Sequence, residues 1–260
     1  MRRVFAIRME WNAGSPDLAR ACAAAIEAGF DGVETPLGAV VVSDDPAART
    51  ADVSHERKGA VIPVGSVCAL AAECSTTETG AALSEVGNWL ESARRLGARC
   101  LNLTLPFVIG ESGEACVHSY QDSLNLAFEL LHGLRFEAER TGVAIALEAS
   151  AGGTLMSPVE LRELIDAANS WAVGACIDVP RLAAAGRLED WITTLGRRIH
   201  AIRVDVGLQR HPVTRTDRVA IVAALDAVSY EGLVSLTGGA SPELMRSAAV
   251  WLEYLRGKSG

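Results

Sequence analysis

The sequence predicts a single (β/α)8 TIM barrel spanning residues 1–260. Three observations carry that prediction. Eight apolar, strand-like runs alternate with longer helical patterns from one end to the other, which is the signature of a parallel sheet wrapped by helices. No Gly-x-Gly-x-x-Gly follows the first run and no Walker motif occurs anywhere, which argues against a doubly wound nucleotide fold. No Pro- or Ser-rich linker or shift in composition divides the chain, so one domain is expected.

The elements follow in order. The first run is RVFAIRM (3–9); Ser15-Pro16-Asp17 then opens an Ala-rich helix over 16–28, with Pro at a first turn where no amide is needed. Gly29 stands just past that helix, where a left-handed cap belongs. The second and third runs are DGVET (31–35) and IPVGSVCAL (62–70). Gly97 closes the next helix before RCLNLTL (99–105). The fifth run, VAIALE (143–148), precedes Ser157-Pro158-Val159-Glu160, an N-cap with Glu at the capping-box position. VGACID (173–178) and HAIRVDV (200–206) follow; Asp217 starts another helix, LVSLT (233–237) is the eighth run, and Ser241-Pro242-Glu243 opens the last helix.

Composition excludes several classes. With 49% apolar and 22% charged residues the chain is ordinary globular protein. Arg8 and Glu10 interrupt the N-terminal run, so no secretory leader is expected, and no uncharged apolar stretch is long enough to span a membrane. Cys22, Cys68, Cys74, Cys100, Cys116 and Cys176 are scattered without a Cys-x-x-Cys pair, which predicts buried thiols in a reducing cytoplasm. A net charge of -8 with few aromatics disfavours a nucleic-acid partner.

In a TIM barrel the C-terminal strand ends carry the chemistry. Their polar residues are Glu34, Ser66 or Cys68, Thr104, Glu148, Asp178, Arg203 or Asp205, and Thr237. Alternation sharpens this list: Ala144 and Ala146 share Glu148's face, and Gly174 and Cys176 share Asp178's. Small residues suit a tapering interior, so both carboxylates are expected to point inward at one mouth. Like charges that close need a cation between them.

Six segments then resemble the xylose-isomerase-like sugar (or sugar phosphate) isomerases and epimerases, in the expected order: AIEAGFDGVET (25–35), ARRLGARCLNL (93–103), TGVAIALEAS (141–150), VGACIDVPRLAAAG (173–186), IHAIRVDVG (199–207) and YEGLVSLTGG (230–239). The resemblance implies a small carbohydrate substrate. It also implies one divalent metal (Mn, Mg, Zn or Co) held by a Glu, an Asp, a His and a second Glu from strands five to eight. Glu148 and Asp178 match the first two. The third position falls on Ile202, or on Arg203 with a one-residue slip; the fourth is Thr237, and a further family His is replaced by Arg181. Thr237 does not ionise at neutral pH, so the paired-glutamate proton transfer of the family lacks one member.

The substitutions suggest their own answer. Arg181 and Arg203 add permanent cations where ligands were lost, and guanidinium pairs well with carboxylates. The expectation is an arginine in the charge role of the metal. Glu148 then serves as base or ligand, Asp178 as ligand or orienter, and Arg181 or Arg203 as stabiliser of an enediolate. Glu34 and Thr104 are candidate hydrogen-bonding groups for substrate, and Trp11 a stacking wall for a sugar. The loop at 207–217 brings His211, flanked by Arg210 and Arg215, over the mouth; with Arg218 these arginines also suit a phosphate. His200 reads as packed rather than ligating. Two other functions remain open: a non-catalytic sugar or anion binder on a retired barrel, and an endonuclease-IV-like phosphodiesterase, which needs more His and Glu ligands. A homo-oligomer is compatible with the exposed helices of either.

Overall fold

The computed structural model describes residues 3–8, 18–36, 41–42, 51–52, 67–74, 78–105, 119–149, 157–182, 187–205, 215–237 and 242–256. Eight parallel strands close into a barrel: β1 (Val4–Arg8), β2 (Gly32–Pro36), β5 (Val67–Glu73), β6 (Cys100–Thr104), β7 (Ala144–Ala149), β8 (Val173–Asp178), β9 (Ile199–Asp205) and β10 (Leu233–Thr237), with β1 pairing both β2 and β10. A short antiparallel pair, β3 (Val41–Val42) with β4 (Ala51–Asp52), lies outside the barrel and was not expected from the sequence. The third barrel strand also runs later than its expected 62–70, so its tip is Glu73. Cys68, expected near the mouth, is instead in the lower interior beside Ala69.

Around the barrel lie α1 (Leu18–Glu27), α2 (Thr79–Leu96), α3 (Tyr120–Thr141), α4 (Pro158–Ala168), the short α5 (Val179–Leu182), α6 (Leu188–Leu195), α7 (Arg215–Ala227) and α8 (Pro242–Leu255). Their ends follow local chemistry. Ser157 accepts from the Glu160 amide and Pro158 fills the first turn of α4, where its missing N–H costs nothing. Gly97 ends α2 at φ 74°, a left-handed geometry that suits a residue without Cβ.

Strand alternation separates two apolar zones. Phe5, Ile7, Leu101, Leu103, Ile145, Leu147, Ile177, Ile202 and Val204 face outward and pack under the helices. Ala6, Ala69, Cys100, Ala146, Cys176, Ala201 and Leu233 face inward and fill the barrel floor. Bulk outside and small side chains inside are what the narrowing interior of an eight-stranded barrel accommodates. Five of the cysteines are buried free thiols; Cys116 lies outside the described residues.

Candidate active site

One step along the strands changes the chemistry of the interior. The next inward residue after Ala6 is Arg8, after Ala146 Glu148, after Cys176 Asp178, and after Ala201 Arg203. Register puts these groups at nearly one height: Asp178 is paired with Arg203 across β8 and β9, and Arg8 with Glu34 across β1 and β2. The two positions left open for the third metal ligand are thereby resolved, because Ile202 packs in the outer layer while Arg203 enters the barrel.

Arg203 crosses the barrel at only 2% exposure. Its Nε donates to Glu34 Oε1 at 2.8 Å and its Nη2 lies 2.7 Å from the same oxygen. Its Nη1 donates to Glu148 Oε2 and lies 3.6 Å from Asp178 Oδ2. Three carboxylates from three strands thus converge on one guanidinium. A buried ion of this kind persists only when its partners neutralise it and fill its hydrogen-bonding positions.

The surrounding groups complete that arrangement. Asn102 Nδ2 donates to Glu34 Oε1 at 3.0 Å, and Thr104 Oγ1 donates to Glu148 Oε2 at 3.2 Å. Arg181 Nη1 lies 3.1 Å from Glu148 Oε1, and Arg8 Nη1 lies 3.5 Å from Asp178 Oδ2. The Arg181 backbone N–H donates to Asp178 Oδ1 at 3.3 Å, so the turn into α5 fixes the aspartate directly. Arg8, Arg181 and Arg203 balance Glu34, Glu148 and Asp178 charge for charge.

Above this network opens a cavity of about 310 Å³ lined by Arg8, Glu73, Thr104, Glu148, Arg181 and Arg203 with Pro36, Ala71 and Ala72, at the small end of sizes typical of small-molecule sites. Glu148 Oε2 is committed to Arg203 and Thr104, whereas the buried Oε1 accepts no aligned hydrogen bond. One carboxylate oxygen at the cavity wall therefore retains accepting capacity.

The carboxylates differ in proton affinity. For Glu34, burial pushes the value up, but the charges of Arg203 and Arg8 outweigh it and hold the carboxyl at about 2. Asp178 goes the other way: burial and the neighbouring Glu148 charge raise it despite Arg203, Arg8 and Arg181.

The expected site residues sort accordingly. Glu148, Asp178, Arg181, Arg203 and Thr104 come together. Glu34 is fully buried beneath the cavity, so the expectation that it hydrogen-bonds substrate is corrected: its carboxylate faces Arg203 and Asn102. Thr237 sits at the rim beside Arg8 and Asp205 and is not among the described residues lining the cavity. Trp11, His211 and Arg210 lie outside the described residues, as do the side chains of Arg215 and Arg218. His200 packs against Gly174 at the opposite end of the barrel. Two cavity residues escaped the sequence reading, Arg8 and Glu73. Val4-Ala6-Arg8 and Ala69-Ala71-Glu73 repeat the small-small-charged alternation that marked Glu148, and would have revealed both.

The donor set does not suit the divalent metal that the resemblance implies. Of the four ligand positions, two hold Glu148 and Asp178 and two hold Arg203 and Thr237. Arg203 places its positive charge among the carboxylates a metal would need. Among the described residues, no group of three or more His, Cys, Asp and Glu is arranged to hold a metal ion.

The family model described as "Xylose isomerase-like TIM barrel" matches residues 22–255. A D-psicose 3-epimerase solved in the presence of D-fructose superposes with a TM-score of 0.75 at 15% identity, covering 99% of this chain and 100% of that one. The D-psicose 3-epimerase of Clostridium cellulolyticum H10, solved with D-tagatose, gives 0.73 at 15% identity over 98% of both chains. The IolI protein, solved with a bound zinc atom, gives 0.71 at 16% identity over 99% of both. No curated protein sequence matches the chain.

Proposed function

The chain belongs to the xylose isomerase-like TIM-barrel family, and on that premise we propose that it is a sugar isomerase or epimerase in which a permanent cation, Arg203, takes the role of a resident metal. The observation that carries this reading is the guanidinium of Arg203 seated among Glu34, Glu148 and Asp178, directly below a cavity into which Glu148 Oε1 opens.

The chemistry follows from these positions. A sugar carbonyl entering the cavity meets Arg181 and Arg203, whose N–H groups stabilise the negative charge that develops on its oxygen. Glu148 Oε1 removes the proton from the adjacent carbon; the electron pair moves into the carbon–carbon bond and the carbonyl becomes an enediolate. The protonated Glu148 then returns the proton to the neighbouring carbon, and collapse of the enediolate leaves the carbonyl one position along. Asp178 orients Arg203, and Glu34 with Asn102 holds its other edge.

One base on one face favours a proton shift along the chain over inversion. Inversion requires a second donor on the opposite face, and Thr237 cannot supply it at neutral pH. The substrate is a small carbohydrate, as sugars are for the epimerases solved with D-tagatose and D-fructose. Neither metal nor nucleic acid enters this reading, and among the described residues the ligand set of an endonuclease-IV-like phosphodiesterase is missing.

A second reading has one observation behind it: both oxygens of Glu148 already lie beside arginines, as befits a site that binds a sugar or anion without turning it over. The two are separated by incubating the chelator-treated protein with a panel of ketoses and aldoses in D2O and following carbon-bound deuterium by NMR. Exchange next to a carbonyl, reduced about 10²- to 10⁴-fold in Glu148→Gln, is the expected result. Saturable sugar binding with no exchange would replace the enzyme by the binder, and activity that appears only on adding Mn, Mg, Zn or Co would overturn the role given to Arg203.

A further inference from the structure

The outer surface carries an aromatic stripe that the barrel does not use. Most exposed apolar residues, such as Ile26, Val159, Val219 and Val250, stand apart on different helices and need no explanation. Phe128 and Phe136 are different. They share α3 with His132 at a spacing of four residues, which lines all three along one face, and they remain 46% and 65% exposed. Phe128 stacks on His132 with ring centroids 5.9 Å apart, and the Arg135 guanidinium lies 4.6 Å from the centre of the Phe136 ring. The patch continues past the end of α4: Arg135 Nη1 donates to the Ala168 carbonyl and Ser170 Oγ to Glu139, which holds the exposed Trp171 beside the second half of α3.

The charges on this face are also unusual. Neighbouring surface arginines are paired within the chain, Arg94 with Glu91, Arg140 with Glu137 and Arg198 with Asp166. Arg135 has no carboxylate partner among the described residues; its contacts are His132, Phe136 and the Ala168 carbonyl. Glu129 has no cationic partner either, only the Thr79 hydroxyl.

These features share one centre of symmetry. Phe128 and Phe136 lie four residues either side of His132; Glu129 and Arg135 lie three residues either side. We propose that α3 is the contact of a two-fold dimer, with two copies of the helix packed antiparallel and crossing at His132. In that arrangement Phe128 of one copy meets Phe136 of the other, and Glu129 meets Arg135, each pair occurring twice, as an isologous interface requires. A helix of 22 residues presents a contact about 33 Å long, and the two Trp171 rings extend it at both ends. The occupant is a second copy of this chain because the pattern complements itself. A different protein would satisfy the patch without needing its elements equally spaced about one residue.

Sedimentation equilibrium of the full chain tests this. A concentration-dependent dimer is expected. Phe136→Ser weakens it by about a hundredfold, in the range of a buried aromatic anchor. Glu129→Arg and Arg135→Glu each weaken it by about tenfold, because each sets like charges face to face, while the double exchange restores the wild-type dissociation constant. All these side chains are on the surface, so far-UV circular dichroism is expected to stay unchanged. A monomer at every concentration overturns the proposal. So does a dimer that is indifferent to Phe136, or charge reversals that the double exchange fails to rescue.

Discussion

Two layers of the barrel interior, one residue pair apart on the same strands, show opposite solutions to burial. The floor is closed by Ala6, Ala69, Cys100, Ala146, Cys176, Ala201 and Leu233, which have few polar atoms to satisfy. The layer above holds Arg8, Glu34, Asn102, Glu148, Asp178 and Arg203, nearly as buried yet ionic. The floor gains stability from apolar area removed from water. The upper layer sacrifices much of that gain to desolvation and recovers it through mutual pairing. Placing both at adjacent heights lets an inert, closely packed base fix the positions of groups that are costly to bury, and catalysis or binding needs such fixed positions.

Arg203→Ala breaks the upper layer most severely. It leaves Glu34 and Glu148 without their shared cation, and urea denaturation is expected to show a loss of about 3–5 kcal/mol. A loss below about 1 kcal/mol would mean that the carboxylates find other partners and that the layer is not organised around one arginine.

Acid attacks the same layer through Glu34. Its carboxyl is held at about 2 against an ordinary 4.5, so its contribution to stability is complete above about pH 4.5 and is lost as pH falls toward about 2. That contribution is on the order of 3 kcal/mol. Asp178 has the opposite sign: its raised value means that ionisation costs stability as pH rises through that value. Denaturation midpoints measured from pH 6 to pH 2 should fall in the wild type and fall less in Glu34→Gln. Parallel curves would remove Glu34 from the account.

The floor answers to packing instead. A Cβ added at Gly174 would meet the His200 ring and come within 2.5 Å of the Arg198 carbonyl oxygen. Gly174→Ala should therefore cost about 1–3 kcal/mol, with no dependence on pH between 6 and 2 beyond that of the wild type. A pH-dependent penalty there would show that the two layers are coupled rather than stacked.

Legibility followed the same division. Alternation alone placed Glu148 and Asp178 inward, because Ala144-Ala146 and Gly174-Cys176 mark an interior face whatever the rest of the chain does. The seventh barrel strand was ambiguous between Ile202 and Arg203, since Ile and Arg both fit a strand tip until the neighbouring register is known. Glu34 looked like a group presented to substrate. Only the path of Arg203 across the barrel shows that its carboxylate is occupied from within.

The sequence by itself determined the eight-fold alternation, the small inward residues and the pair of carboxylates at one mouth, because these are local periodicities that each strand carries alone. Tertiary structure decided what neutralises the carboxylates. Arg203 and Glu34 are 169 residues apart, and their meeting depends on closure of the barrel bringing β9 and β2 across a common interior. No local pattern encodes that distance; the shared burial of both groups enforces it, since neither charge can be left in that interior unpaired.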